Sequence, residues 1–114
     1  MKKLTSARLL SSLVFSLAFG SVNAQELMVS AAASLTNAFK ELAPLFEAKH
    51  PGSKVLLNFA ASDALVQQVA KGAPVDVLAC ADQESMDKAE TQKLLTAGSR
   101  QNFAGNSLVL IVPT

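Results

Sequence analysis

"MVSAAASLTNAF", residues 28–39, sets an apolar run, three alanines and a serine directly ahead of a helical pattern, and "NFAASDALVQQV", residues 58–69, repeats the arrangement. One such shoulder is an ordinary strand-to-helix turn, but two raise the question of a shared ligand. The segments around them alternate in period. "ELMVSA" (26–31) is a short apolar run. "SLTNAFKELAPLFEAK" (34–49) places Leu35, Ala38, Phe39, Leu42 and Phe46 on one helical face by their three and four spacings. After Pro51-Gly52, "SKVLLNFA" (53–60) predicts a second strand and "SDALVQQVAKG" (62–72) a second helix, closed by Gly72 where a left-handed cap is favoured. "VDVLAC" (75–80) predicts a third strand, "DQESMDKAETQ" (82–92) a third helix capped by Asp82, and "NSLVLIVP" (106–113) a fourth strand. Strands alternating with helices predict an α/β fold with a mostly parallel sheet flanked by helices. Pro44 lies inside the first helix and predicts a kink or a break there, because proline removes a backbone donor and crowds the preceding turn.

Composition narrows the function classes. Half of the 114 residues are apolar and 17% are charged, which fits a globular chain of one domain at most. Residues 1–24, "MKKLTSARLLSSLVFSLAFGSVNA", carry Lys2, Lys3 and Arg8, an apolar stretch from Leu9 to Gly20, and the small residues Val22 and Ala24 around Asn23. This is the pattern of a cleaved secretory signal, with the mature chain starting at Gln25. Its apolar core of about twelve residues is short of the roughly twenty that span a bilayer. Without the signal the chain holds seven basic and nine acidic side chains, so no basic surface for nucleic acid is expected. The lone Cys80, among apolar neighbours, reads as a buried thiol, and His50, at a helix end before Pro51, as a solvent-facing C-terminal residue. One histidine and one cysteine do not make a zinc site. Asp76 and Asp82 could suggest a metal pair, but a helix cap is the simpler role for Asp82.

Ser34 and Ser62 are therefore the candidate site residues. Each falls where a serine caps a helix by accepting from a first-turn N–H. The functional alternative is that the helix start, with free N–H donors and about half a positive charge, receives an anion while the hydroxyl adds one more donor. Ala32, Ala33, Ala60 and Ala61 hold nothing away from the backbone, and ligands of open α/β sheets sit beyond the carboxyl ends of the strands, where both turns would lie. With no lysine or arginine beside either turn, binding rests on neutral donors and helix dipoles, which suits a compact dehydrated oxyanion. Catalysis is not expected. A nucleophilic serine wants an elbow such as G-x-S-x-G and an adjacent base, whereas alanine stands two places before each serine and His50 is the only imidazole.

"SAAASLTNAFKELAPLFE", "NFAASDALVQQVAKGAPVDVLACADQESMDKA" and "GNSLVLIVP" together resemble the amino-terminal half of the periplasmic molybdate-binding proteins, the receptors of molybdate ABC transporters. The resemblance implies a two-lobed type II periplasmic binding protein fold, of which residues 25–114 hold one lobe plus the start of the crossing to the second. It also implies binding of molybdate or tungstate in the periplasm, with delivery to a membrane permease. The family's ligand-binding serines fall on Ser34 and Ser62, so the metal is held as its oxyanion and no cation ligand, cofactor or catalytic residue is implied. A monomer is the expected state. The family's further ligands belong to the second half of its chains, so a truncated piece that binds weakly or not at all is also an expectation. Two features depart from the pattern. Ala79-Cys80-Ala81-Asp82 replaces a more usual Ser-Ala-Asp ending, and Asp63 sets a carboxylate after the second serine, which repels an anion by about 1 kcal/mol at 4 Å even in water. Asp63 is expected to point to solvent. Another tetrahedral oxyanion, sulfate or phosphate, is the alternative ligand.

Overall fold

The structure, a computed structural model, describes residues 24–113, so the expected signal at 1–24 lies outside the described residues apart from Ala24. Chain order is β1 (Gln25–Ala32), a 3-10 turn (Ala33–Leu35), α1 (Thr36–Lys49), β2 (Ser53–Ala60), α2 (Ser62–Ala70), β3 (Val77–Ala79) and α3 (Gln83–Thr91). The three strands form a sheet ordered β2-β1-β3, and β1 pairs in parallel with both neighbours. The alternation of apolar runs with helical patterns thus produces the expected parallel α/β sheet. The crossover through α1 leaves β1 toward β2, whereas the crossover through α2 passes back over β1 to β3. Since such crossovers are right-handed, α1 and α2 cover opposite faces of the sheet.

The core is built from small side chains at the carboxyl half of the central strand. Val29, Ala31 and Ala32 of β1 are buried together with Leu65 and Val66 of α2, Ala79 of β3 and Ala89 of α3. The alanines let α2 approach both β1 and α3. Leu65 is fully buried, and removing such a side chain from water contributes about 2 kcal/mol. Asp76 completes the pairing of β1 ahead of β3: its carboxylate accepts from the Met28 N–H at 2.8 Å, and its own N–H donates to the Met28 carbonyl at 2.9 Å. On the other side of the sheet, the Val55 N–H of β2 donates to Glu47 of α1 at 2.8 Å. That backbone bond, ahead of the nearby Lys54 charge, lowers the Glu47 pKa.

Three expectations need correction. The third strand is shorter than the 75–80 read from the sequence, because Asp76 spends its polar groups on Met28 and β3 starts only at Val77. The fourth strand, 106–113, does not form: its residues carry no secondary structure, and Leu108 is 98% exposed. A strand needs a partner for its backbone N–H and C=O groups, and no described strand lies beside it. Of the kink or break expected at Pro44, the break does not occur, since α1 is one continuous helix of 14 residues. Lys40, whose carbonyl loses its helical donor to the proline, is an exposed residue, so the loss falls on the solvent side of the helix. The helix ends at His50, whose ring stacks on Phe46 with centroids 4.1 Å apart and whose Nδ1 is hydrogen-bonded to the Phe46 carbonyl at 3.0 Å.

Two helices end alike with different residues. After α2, Gly72 has φ +94° and its N–H donates to Val69 at 2.9 Å, while the Ala73 N–H donates to Gln68 at 3.0 Å. After α3, Lys93 takes φ +57° with its N–H donating to Glu90 and that of Leu94 to Ala89, both at 2.9 Å. Both are Schellman closures, but only glycine adopts this conformation without a Cβ penalty of about 1–2 kcal/mol. A Cβ at Gly72 would meet nothing within 4 Å, so backbone conformation alone sets the effect of substitution. In urea unfolding, Gly72→Ala is expected to destabilise the chain by about 1 kcal/mol and Lys93→Gly to stabilise it.

Candidate functional site

Parallel pairing brings all three strand-to-helix turns to one edge of the sheet. Ala32 is opposite Ala60, and Ala31 is opposite Ala79, so the strands leave the sheet within about one residue of one another. Because the crossover from β1 runs to β2 and the crossover from β2 runs back past β1 to β3, the chain reverses direction across the sheet and a crevice opens at the carboxyl ends between β1 and β3, where open α/β sheets take their ligands. Ser34 stands on the turn after β1, Ser62 on the turn after β2, and Cys80-Ala81-Asp82 on the turn after β3.

The two serines are not the equivalent caps expected from their matching sequences. Ser34 is the middle residue of the 3-10 turn and is exposed; the cap positions of that turn and of α1 are Ala32 and Leu35. The chain tightens directly after β1, so the turn begins one residue before the serine, and Thr36 closes it with Oγ1 donating to the Ala33 carbonyl at 2.6 Å. Ser62 is the first residue of α2, behind an extended Ala61 cap with φ −62° and ψ 144°. Its side chain faces inward: Ser62 is 8% exposed, and its Oγ accepts from the Ala81 N–H at 3.0 Å. This bond joins the turn after β2 to the turn after β3 across the end of β1.

The missing caps have a chemical consequence. Ala32, Leu35 and Ala61 offer no side-chain oxygen, so neither the 3-10 turn, which runs directly into α1 with the Thr36 N–H donating to the Ala33 carbonyl, nor α2 has a side-chain cap. The third helix is closed in the ordinary way, as the sequence predicts. Asp82 accepts from the Ser85 N–H at 2.7 Å and from the Ser85 hydroxyl at 3.1 Å. Those two bonds, the backbone one first, hold the Asp82 carboxyl below the usual carboxylate range, with a smaller contribution from the Ser62 hydroxyl.

Charge at this edge is entirely acidic. The turns carry Asp63 and Asp82 and no lysine or arginine. Asp63 is exposed in the first turn of α2, where a carboxylate favours the helix dipole, as expected. Lys88, the next cation along α3, is paired with Glu84 at 2.9 Å. An anion here therefore meets backbone donors and hydroxyls rather than a countercharge. The Cys80 thiol is half-buried, and its pKa is pushed up, by burial first and then by the Asp82 charge, so it stays protonated at neutral pH. No group of three or more His, Cys, Asp or Glu residues able to hold a metal ion occurs among the described residues, and Asp76 and Asp82 are each spent on structural bonds. His50 closes the far end of α1, about 20 Å along a helix of this length from the turn that holds Ser34. No imidazole can serve that serine as base. No helix among the described residues is long and apolar enough to cross a membrane.

The Ala81 N–H is the site contact that sequence reasoning missed. A backbone amide has no residue signature, and the only hint is that Ala81 directly precedes the capping Asp82.

This arrangement is that of a ligand-receiving α/β lobe. Residues 27–114 match the family described as bacterial extracellular solute-binding protein, and the chain belongs to it. The molybdate-binding protein ModA of Escherichia coli is 43% identical over 88 residues, which are 77% of this chain and 34% of the relative. The molybdate-binding protein ModA of Haemophilus influenzae is 35% identical over 116 residues, covering 99% of this chain and 44% of the relative. Among solved structures, the substrate-binding domain assigned to a molybdenum ABC transporter of Clostridium difficile superposes with TM-score 0.58 at 35% identity, over 60% of this chain and 30% of that one. The chain thus spans between a third and a half of the length of these curated relatives. With the sheet order, these likenesses fit one lobe of a type II periplasmic binding protein fold.

Because the Asp82 pKa lies lower in the folded chain than in the unfolded one, its capping stabilises the fold above the unfolded value and is lost as pH falls through the folded value. At neutral pH Asp82→Ala is expected to cost about 1 kcal/mol in urea unfolding. The gap between the two proteins should close as the pH drops below about 4.

Proposed function

We propose that this chain is part of a periplasmic receptor that binds molybdate, and tungstate as its near equivalent, and delivers it to the permease of an ABC transporter. The binding contribution of residues 25–114 is assigned to Ser34 and Ser62 together with the uncapped N–H groups at the starts of the first two helical segments. The observation that carries this reading is the difference among the three helix starts. Asp82 caps α3, while the starts that hold Ser34 and Ser62 lack a side-chain cap and lie at the carboxyl edge beside the crevice. Donors left open at two adjacent turns, in a setting without cations, suit a fully ionised oxyanion that only accepts hydrogen bonds. The names of the relatives support molybdate as that oxyanion. The same chemistry describes binding without turnover, since the one histidine of the described residues closes the far end of α1 and the carboxylate beside Ser62, that of Asp82, is held by Ser85. Export through cleavage after Ala24 and action as a monomer complete the reading.

Isothermal titration of the chain with molybdate, tungstate, sulfate and phosphate tests it. Molybdate and tungstate should bind, with sulfate and phosphate at least tenfold weaker, a gap of about 1.4 kcal/mol. Ser34→Ala and Ser62→Ala should each weaken molybdate by about tenfold, the scale of one hydrogen bond to a charged group. Equal affinity for sulfate and molybdate would remove the ligand assignment.

A further inference from the structure

Resting on the reading that Ser62 meets the oxyanion, we propose that Ala81 is a positioning residue, whose backbone N–H fixes the Ser62 hydroxyl as a hydrogen-bond donor and so favours fully ionised oxyanions over protonated ones.

A serine hydroxyl has one hydrogen and two lone pairs, and by itself it serves equally as donor or acceptor. At Ser62 that freedom is removed. The Ala81 N–H occupies one lone-pair direction at 3.0 Å, and an O–H cannot point at an N–H, so the hydroxyl hydrogen is turned away from that amide. Burial of Ser62 at the first position of α2 restricts its rotamers further. Accepting a hydrogen bond also polarises the O–H and makes it a stronger donor. The acceptor beside it in the free chain, the Asp82 carboxylate, has an oxygen on each of the Ser85 N–H and Ser85 hydroxyl, so an incoming oxyanion competes with a partner that is already satisfied. Ser34, exposed on its 3-10 turn, has no comparable restraint from burial. Of the two serines, Ser62 is therefore the one set in advance to donate. A fully ionised oxyanion accepts from it at every oxygen. Hydrogen phosphate carries an O–H of its own and gains less from a site whose hydroxyl is already committed to donating.

The test replaces the Ala81 amide by an ester, with L-lactate in place of alanine, which deletes the N–H and leaves the side chain unchanged. Molybdate and phosphate titrations are run on the wild-type chain, the ester, Ser62→Ala, and the two changes combined. The ester should weaken molybdate by about tenfold, narrow the preference for molybdate over phosphate, and add less than about twofold in the Ser62→Ala background. Two results overturn the proposal: an ester that binds molybdate as the wild type does while Ser62→Ala is weakened, or an ester that costs the same with and without Ser62. Wild-type binding that survives both Ser34→Ala and Ser62→Ala, or no wild-type binding at all, instead fails the underlying site assignment and takes this proposal with it. Should the ester not fold, hydrogen exchange decides on the unmodified backbone. The Ala81 amide should be protected in the wild type and lose that protection in Ser62→Ala, and equal protection in the two overturns the proposal.

Discussion

Everything at the candidate site follows from β1 being paired in parallel on both sides. Parallel strands must be joined by crossovers, and crossovers return every strand to the same end of the sheet, so three turns leave one edge at nearly the same level. With β1 in the middle, the two crossovers run in opposite directions across the sheet and leave the crevice beside its carboxyl end. The small residues at that end serve this geometry before they serve any ligand. Ala31 and Ala32 are buried under α2, and bulk there would push away the helix start that carries Ser62.

Polar groups at this edge divide between closing the fold and remaining open. Asp76 closes the ladder at Met28, Asp82 closes α3, and Ala81 spends its N–H on Ser62. The starts that follow β1 and β2 have alanine or leucine where a capping oxygen would sit. A helix end without a cap gives up about 1 kcal/mol of stability. That loss is accepted at two neighbouring positions in a chain that caps the third, and it is the difference on which the proposed oxyanion site rests.

The sequence made some of this legible and hid the rest for definite reasons. The element order, Asp82 as a cap, Gly72 as a left-handed closure and Asp63 on the solvent side were all readable, because each depends on local chemistry. The placement of Ser34 and Ser62 on neighbouring strand-to-helix turns was readable, but not their conformations. Whether a turn tightens at Ala33 or at Ser34 is decided by where β1 stops pairing, which is a tertiary matter. The Ala81 contact was invisible because it uses only backbone. The stretch 106–113 was misread because apolar periodicity reports what a segment could pair with, not whether a neighbour is at hand. Lys93 at a positive φ was equally unreadable, since nothing in its type announces that conformation.

The two margins of the sheet are not alike. Along β2, the side chain of Glu47 occupies the outward Val55 N–H, while β3, three residues long, has no such cover described on its outer side. The sheet therefore has a direction of growth. A strand arriving from elsewhere in a longer polypeptide would find one margin already occupied by a carboxylate and the other open, and would extend the sheet next to β3, on the side where the crevice already lies.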